Sequence, residues 1–582
     1  MDIKAIVVKN YLESLTESEE LDMIFPILLE SKGFVILSNP KLTKGFPQYG
    51  KDIVAVGKDF NTGKLTKFYF EIKGGKDRHV SSSTFKKDDG IKESLLEAKF
   101  KKFESSYPNF DNLPLKIILV HNGDLKAGVQ EVFEGFIKTE FPENSIIKFE
   151  RWGISDLVKY FSEYLFGAYL LTDQKTTKLF NRVLVNFNVN EGVSEDFKEL
   201  LNLLIERNDW EGYKRTIQRK WVLLFESLKL VSFVIYSESK EYENLDIAKR
   251  YVEYLIIRFW FWILKNKLEK DKIILKYFNQ IFKFFYLILS EYFINTLDLA
   301  TIKDGLYSEK GGRYEEIGYT YRTFEYLKYL CFLINLDLVN GKDEYRVKLR
   351  NILLNVIKAN SVSARPLLDI HSNVIIDILI ILIKNGELDE AKTYLKEVLA
   401  YIKLGKENHD RLPDANNSIE NVIKFTVTRN KPVYYSDSTS PLLSVLVEFV
   451  AILGLENEFN MVKKFVEKYD IGLGIFIPHH GNNSNSKHLI EDKINDLEEQ
   501  LFSKSVTDGY QSELRLTKFE IETFDINAKL SFEDFKEKIK LRVSEFEYNY
   551  RTDEADHRYL RDLAHIHYLT PYFPDKWRYL IG

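Results

Sequence analysis

Gln48-Tyr49-Gly50-Lys51-Asp52-Ile53-Val54-Ala55-Val56 and, beyond the turn signal Asn61-Thr62-Gly63, Phe68-Tyr69-Phe70-Glu71-Ile72-Lys73 are the stretches that decide the N-terminal fold. Both are rich in β-branched and aromatic residues and are bounded by glycines, which reads as two strands joined by a hairpin. Side chains alternate along a strand, so Glu71 and Lys73 share one face and Ile72 points into the opposite, apolar layer. Antiparallel pairing through the turn brings Asp52 toward Glu71. Two convergent carboxylates repel unless a cation lies between them, and a hard divalent ion prefers oxygen ligands. Asp52, Glu71 and Lys73 are therefore the candidate catalytic residues. The two acids hold Mg²⁺ or Mn²⁺, and Lys73 orients or deprotonates a water and offsets charge on a phosphate. The competing reading is a surface salt bridge on a hairpin, because Glu-x-Lys is a cheap triplet in a chain with 29% charged residues.

Outward from this hairpin, Leu12 to Ser31 reads as a helix with Leu15, Leu21, Ile24, Leu28 and Leu29 on one face, ended by Gly33. Strands are expected at Phe34 to Leu37, Asp52 to Val56, Leu65 to Ile72, Leu115 to Val120 and Ile146 to Phe149. Helices are expected at Ile91 to Phe103 and near Val129 to Lys138. The order makes residues 1–170 an α/β domain, a small mixed sheet flanked by helices. From about Asp173 the pattern is nearly all helical, and residues 186–470 read as one or more helical domains. The pair Val374 to Ile383 and Leu388 to Tyr401 resembles a helical repeat, without a clean period. Gly472 to Ser486 is a polar loop or boundary, and residues 487–582 form a C-terminal, mainly helical domain, with a charged helical pattern returning from Phe519.

A chain of 582 residues is long for one hydrophobic core. Its 45% hydrophobic content is that of a soluble globular protein. Cys331 is the single cysteine and has no partner for an internal disulfide, which points to a reducing, cytoplasmic compartment. Met1 to Tyr11 has no apolar core of a secretory signal. The apolar runs Tyr251 to Leu264 and Tyr277 to Ile294 carry charged or polar residues, and Val374 to Ile383 is too short, so no membrane span is expected.

The net charge of -5 argues against a chain coated by nucleic acid, yet Lys41 to Ser105 holds fifteen Lys and Arg against nine Asp and Glu. Lys76, Arg78, Lys86 and Lys87 after the second strand, with Gln48 and Lys51 before Asp52, are the candidate phosphate contacts. His479, His480 and His488, and His557, His565 and His567, lack zinc-site spacing and read as surface or packing residues. The chain has no phosphate-cradling Gly-x-x-x-x-Gly-Lys-Ser/Thr loop, so any ATP-driven step needs a separate ATPase.

Glu30 in the first helix, Gly50-Lys51-Asp52 and Glu71-Ile72-Lys73 together resemble the restriction-endonuclease-like (PD-(D/E)XK) nuclease superfamily over roughly residues 8–165. Lys51 stands where the name-giving proline would be. The resemblance implies a restriction-endonuclease-like N-terminal domain followed by a large, mainly α-helical region, with Asp52, Glu71 and a first-helix acid (Glu30, or else Glu19 or Glu20) at the metal and Lys73 as the catalytic lysine. It implies a Mg²⁺- or Mn²⁺-dependent endonuclease cutting DNA, less often RNA. By association it implies a prokaryotic anti-phage or anti-plasmid effector, a homo-oligomer whose helical region answers to a phage-derived trigger protein or another partner. The alternatives are a DNA-repair or RNA-cleaving nuclease, and a non-catalytic helical scaffold carrying a degenerate nuclease domain.

Overall fold

The computed structural model describes residues 5, 8–9, 12–13, 15, 17, 21–39, 50–59, 61–165, 174–186, 192–206, 217–340, 343–478, 498, 501–502, 519–523, 531–541 and 550–581. The chain divides into two compact units, Met1–Tyr242 and Glu243–Gly582.

In the first unit, helix α1 (Asp22–Ser31) leads through Gly33 into strand β1 (Val35–Ser38), followed by β2 (Ile53–Lys58) and β3 (Leu65–Lys73). Helix α2 (Ile91–Phe100), β4 (Leu115–His121), α3 (Ala127–Glu140), β5 (Ile147–Trp152) and α4 (Ile154–Tyr160) complete the domain. The five strands form one sheet in sequence order. β1/β2 and β2/β3 are antiparallel, and β3/β4 and β4/β5 are parallel. Each face carries its own core. Phe68, Phe70 and Ile72 point to one side, where Phe25 of α1 meets Phe70 edge-on at 5.4 Å and Phe34 meets Phe68 at 5.1 Å. Val54, Tyr69, Ile117 and Leu119 point to the other, under Leu95 of α2 and Phe133 of α3. This two-layer burial explains the nearly continuous apolar run of β4, a strand covered on both faces. Its one charged member, Lys116, is buried between Asp59 (2.6 Å) and Glu150 (2.8 Å).

The expected strands and the helices α2 and α3 are present with ends shifted by a few residues, whereas the helix expected over Leu12 to Ser31 begins as α1 only at Asp22, and Leu15 is not helical. One element was missed: Ser82–Lys86, expected as loop, is a short helix started by Ser81, whose hydroxyl accepts from the Thr84 N–H. The first unit also holds helices Gln174–Val185, Glu195–Ile205 and Ile217–Glu241.

The second unit is mainly helical. Its helices include α5 (Leu245–Lys265), α6 (Lys272–Ala300), α7 (Glu315–Asn340), α8 (Ser372–Lys384), α9 (Leu388–His409), α10 (Pro441–Ile452) and α11 (Tyr559–Tyr568). The α8/α9 pair turns at Gly386, whose φ of +78° suits only a residue without a Cβ. Among the described residues α6 alone is long and apolar enough to cross a bilayer by length and composition. Ile274, Phe278, Ile281, Phe285 and Leu289 on one of its faces are buried, and Asn279 bonds His557 at 2.9 Å, as in the core helix of a globular unit.

One expectation changes here. The strand-like residues before His479 form β6 (Gly474–Pro478), paired antiparallel with β7 (Phe519–Thr523), where a helical pattern was expected from Phe519. The alternation Phe519-Glu520-Ile521-Glu522 was the strand signal. The expected breaks fall at 170–186 and 470–487, and the division into two compact units falls at 242/243. Residues 550–581 join the second unit's core: Trp260 donates to Thr552 (3.0 Å), Tyr572 to Asp377 (2.9 Å) and Trp577 to Glu448 (2.6 Å). Cys331 is buried, as expected.

Candidate active site

The β2/β3 register pairs Ile53 with Phe70, so Asp52, one residue earlier, lies across from Glu71. An Asp52 Oδ2 accepts the Ile72 N–H at 2.7 Å, which fixes the carboxylate at the end of the hairpin. Glu71 is buried, and the Lys73 ammonium sits 2.8 Å from its Oε1. The turn into β2 depends on Gly50: its φ is +66° and a Cβ there would fall 1.9 Å from the Ser94 carbonyl oxygen. The three residues singled out by their spacing are therefore brought together.

Two acids join them that the sequence reading did not choose. Glu17 accepts the Gly74 N–H (3.1 Å) and lies 3.8 Å from the Lys73 ammonium. Asp22, at the start of α1, has a buried Oδ1 without a hydrogen-bond partner. Burial, then Glu17 and Glu71, push the Asp22 carboxyl up to about 7. Burial and Glu71 also push Asp52 well above the usual carboxylate range, with Asp22 adding to the effect. The Lys73 pKa is raised too, but here that keeps the charge: burial disfavours the ammonium, and Glu71, Glu17 and Asp52 outweigh burial. The site thus crowds four carboxyl groups, Glu17, Asp22, Asp52 and Glu71, around one lysine.

Glu30, expected at the metal, is placed apart from these acids: it is exposed at the C-terminal end of α1. β1 begins at Val35, which pairs with Val56, itself paired with Lys67. The end of α1 is thus level with a point four residues before Glu71, about 13 Å along the strand. The alternatives Glu19 and Glu20, and Gln48, lie outside the described residues.

The proposed phosphate contacts are arranged unevenly. Lys76 and Lys86 are exposed, while Lys87 is bound to Asp77 at 2.6 Å. Lys51 is buried, 5.4 Å from the centre of the Tyr69 ring, and burial lowers its pKa to about 8. A surface contact with nucleic acid is not what this position offers. Arg78 donates to the Glu13 carbonyl (2.6 Å) and to His79 (3.2 Å). Next to Lys73 in the β3/β4 register lies His121, fully buried. Its Nε2 is 2.9 Å from the Arg151 guanidinium, which can only donate, so Nδ1 carries the proton and donates to the Arg78 carbonyl (3.1 Å). Burial and Arg151 hold this imidazole down at about 4, neutral at physiological pH.

Among the described residues no three acid, histidine or cysteine side chains are drawn together tightly enough to grip an ion as they stand; the Lys73 ammonium lies against Glu71. The histidines do structural work elsewhere: His557 stacks on Trp260 at 4.9 Å, His567 bonds Glu253 at 2.5 Å, and His565 bonds Thr570 at 3.0 Å. His479, His480 and His488 lie outside the described residues.

No protein-family model, no curated protein and no solved structure matches the chain.

Proposed function

We propose that the first unit is a divalent-cation-dependent endonuclease domain of the restriction-endonuclease-like kind, acting on DNA. The observation that carries this reading is the partnerless, buried carboxylate oxygen of Asp22 beside the Asp52, Glu71 and Glu17 acids. Buried like charges with an unsatisfied oxygen are costly unless a proton or cation completes them. All the donors are hard carboxylate oxygens, which suits Mg²⁺ or Mn²⁺ and not a soft metal.

Asp22, Asp52 and Glu71 would hold the ion, with Glu17 beside them. Bound there, it supplies Lewis acidity at the phosphate and a more acidic water. Asp52 is pre-positioned by the Ile72 N–H and pays little to reorganise. Lys73, kept protonated by its acidic neighbours, acts as a cation that offsets charge developing on the phosphate. The exposed Lys76 and Lys86 engage backbone phosphates without reading bases. The helical unit restrains or directs cutting, and the setting we propose is defence against invading phage or plasmid DNA.

Purified full-length chain incubated with end-labelled duplex DNA, single-stranded DNA and RNA tests the proposal. Cleavage of duplex DNA with Mg²⁺ or Mn²⁺, abolished by EDTA, is expected. Failure on all three substrates in both metals would refute the reading, and RNA-only cleavage would move it to a ribonuclease.

A further inference from the structure

The second unit carries an open cavity of about 740 Å³ that the nuclease chemistry leaves unused. Its size falls in the range of small-molecule sites. Two arginines lie on its wall. Arg322, Arg350, Arg551, Arg561 and Arg578 each pair with a carboxylate. Arg365 and Arg411 do not, among the described residues. Arg365 donates to the Tyr401 hydroxyl (3.2 Å), its guanidinium 4.4 Å from that ring centre, and Arg411 donates to the Thr426 hydroxyl. Arg411 is tied by its own N–H to the Gly405 carbonyl (3.1 Å), one helical turn beyond Tyr401 on α9. Both arginines line the cavity, Arg365 against Tyr401 of α9 and Arg411 just beyond the end of the same helix.

Four tyrosines, Tyr307, Tyr319, Tyr401 and Tyr435, stand among aliphatic side chains on the remaining wall. Tyr319 donates to Asp304 at 2.7 Å, and Tyr435 donates to the Leu412 carbonyl. Asp304, a possible counter-charge, already accepts from Tyr319, the Ser361 N–H (3.2 Å) and the Ser361 hydroxyl (2.9 Å). Glu316, exposed on the lining, is left as an acceptor for N–H donors. Guanidinium groups bonded to neutral hydroxyls keep donors available for oxyanions, and Tyr307, half exposed on the lining, offers its ring to a heterocycle.

We propose that this cavity binds a free nucleotide, its phosphate taken by Arg365 and Arg411 and its base lying among the tyrosines. The test is calorimetric titration of the full-length chain with AMP, ATP, adenosine and inorganic phosphate, in EDTA so that the acidic site of the first unit takes no part. At least one nucleotide should bind, and adenosine and phosphate should each bind at least tenfold more weakly. Arg365→Gln and Arg411→Gln should each weaken nucleotide binding at least tenfold while leaving the circular dichroism unchanged. Arg365 is exposed, so its variant reads out binding even if Arg411→Gln disturbs the fold. No nucleotide binding up to millimolar concentration, phosphate binding as tightly as nucleotide, or undiminished binding in Arg365→Gln would overturn the proposal.

Discussion

Asp22 and Glu30 stand eight residues apart on one helix, and that spacing separates a member of the acid cluster from a bystander. α1 ends where β1 begins, and β1 runs parallel to β3 because β2 is antiparallel to both. The helix N-terminus therefore lies toward the end of β3 that carries Glu71 and Lys73. The signal was present in the sequence: a helix leading through Gly33 directly into a strand has its far end, not its near end, at the catalytic end of the sheet. Composition could not show it, because every helix face offers several acids. The crowding of carboxyl groups gives a prediction of opposite signs. Asp52→Asn relieves repulsion and keeps the acceptor for the Ile72 N–H, so thermal unfolding in EDTA should rise by a few degrees, at roughly 2–4 °C per kcal/mol, while cleavage is lost. A melting temperature lowered in EDTA would show that the acids stabilise one another by hydrogen bonding instead. Lys73→Met should abolish cleavage and leave Mn²⁺ affinity within a few-fold, measured by calorimetry.

Elements were legible where burial is simple. β2 and β3 announced themselves through alternation and a glycine-marked turn, and β4 through its apolar run between Pro114 and Asn122-Gly123. The hairpin of β6 with β7 was not legible, since strands separated by some forty residues leave no local turn to join them. Two glycines flank β2, one before it and one in the turn to β3, and they differ in what surrounds them. Gly50 and Gly63 both have positive φ, +66° and +68°, but a Cβ at Gly63 meets open space while one at Gly50 strikes the Ser94 carbonyl. Gly63→Ala should cost about 1 kcal/mol, the conformational penalty alone. Gly50→Ala should cost clearly more and also displace Asp52, lowering Mn²⁺ affinity; denaturant unfolding and calorimetry of both variants check this. Equal costs would show that the loop before β2 yields freely.

Across the whole chain, the division into an N-terminal sheet with helices and a helical remainder was readable from the change of periodicity near residue 173, but the cut between compact units at 242/243 was not. A three-part division was expected because the polar stretch after Gly472 resembles a linker. The tertiary hydrogen bonds that bind residues 550–581 to α5, α8 and α10 are long-range and have no sequence signature. Glu448 illustrates them: fully buried, it accepts from Trp577 at 2.6 Å and from Arg578 at 2.6 and 3.0 Å. Breaking a buried pair by removing one partner costs about 3–5 kcal/mol. Glu448→Gln should therefore destabilise the second unit by an amount of that order, followed by urea unfolding, and deletion of residues 550–582 should unfold that unit instead of trimming a domain. A truncated chain with an undiminished cooperative transition would restore the three-domain division.

The central claim is that Asp22, Asp52 and Glu71 form a site for a hard divalent cation. Calorimetric titration of Mn²⁺ into the full-length protein and its Asp52→Ala, Asp22→Asn and Glu30→Gln variants tests it most directly. The structure predicts a saturable site in the parent chain, at least tenfold weaker in Asp52→Ala and Asp22→Asn and unchanged in Glu30→Gln. Equal affinity in all four proteins, or loss on changing Glu30 alone, would contradict it.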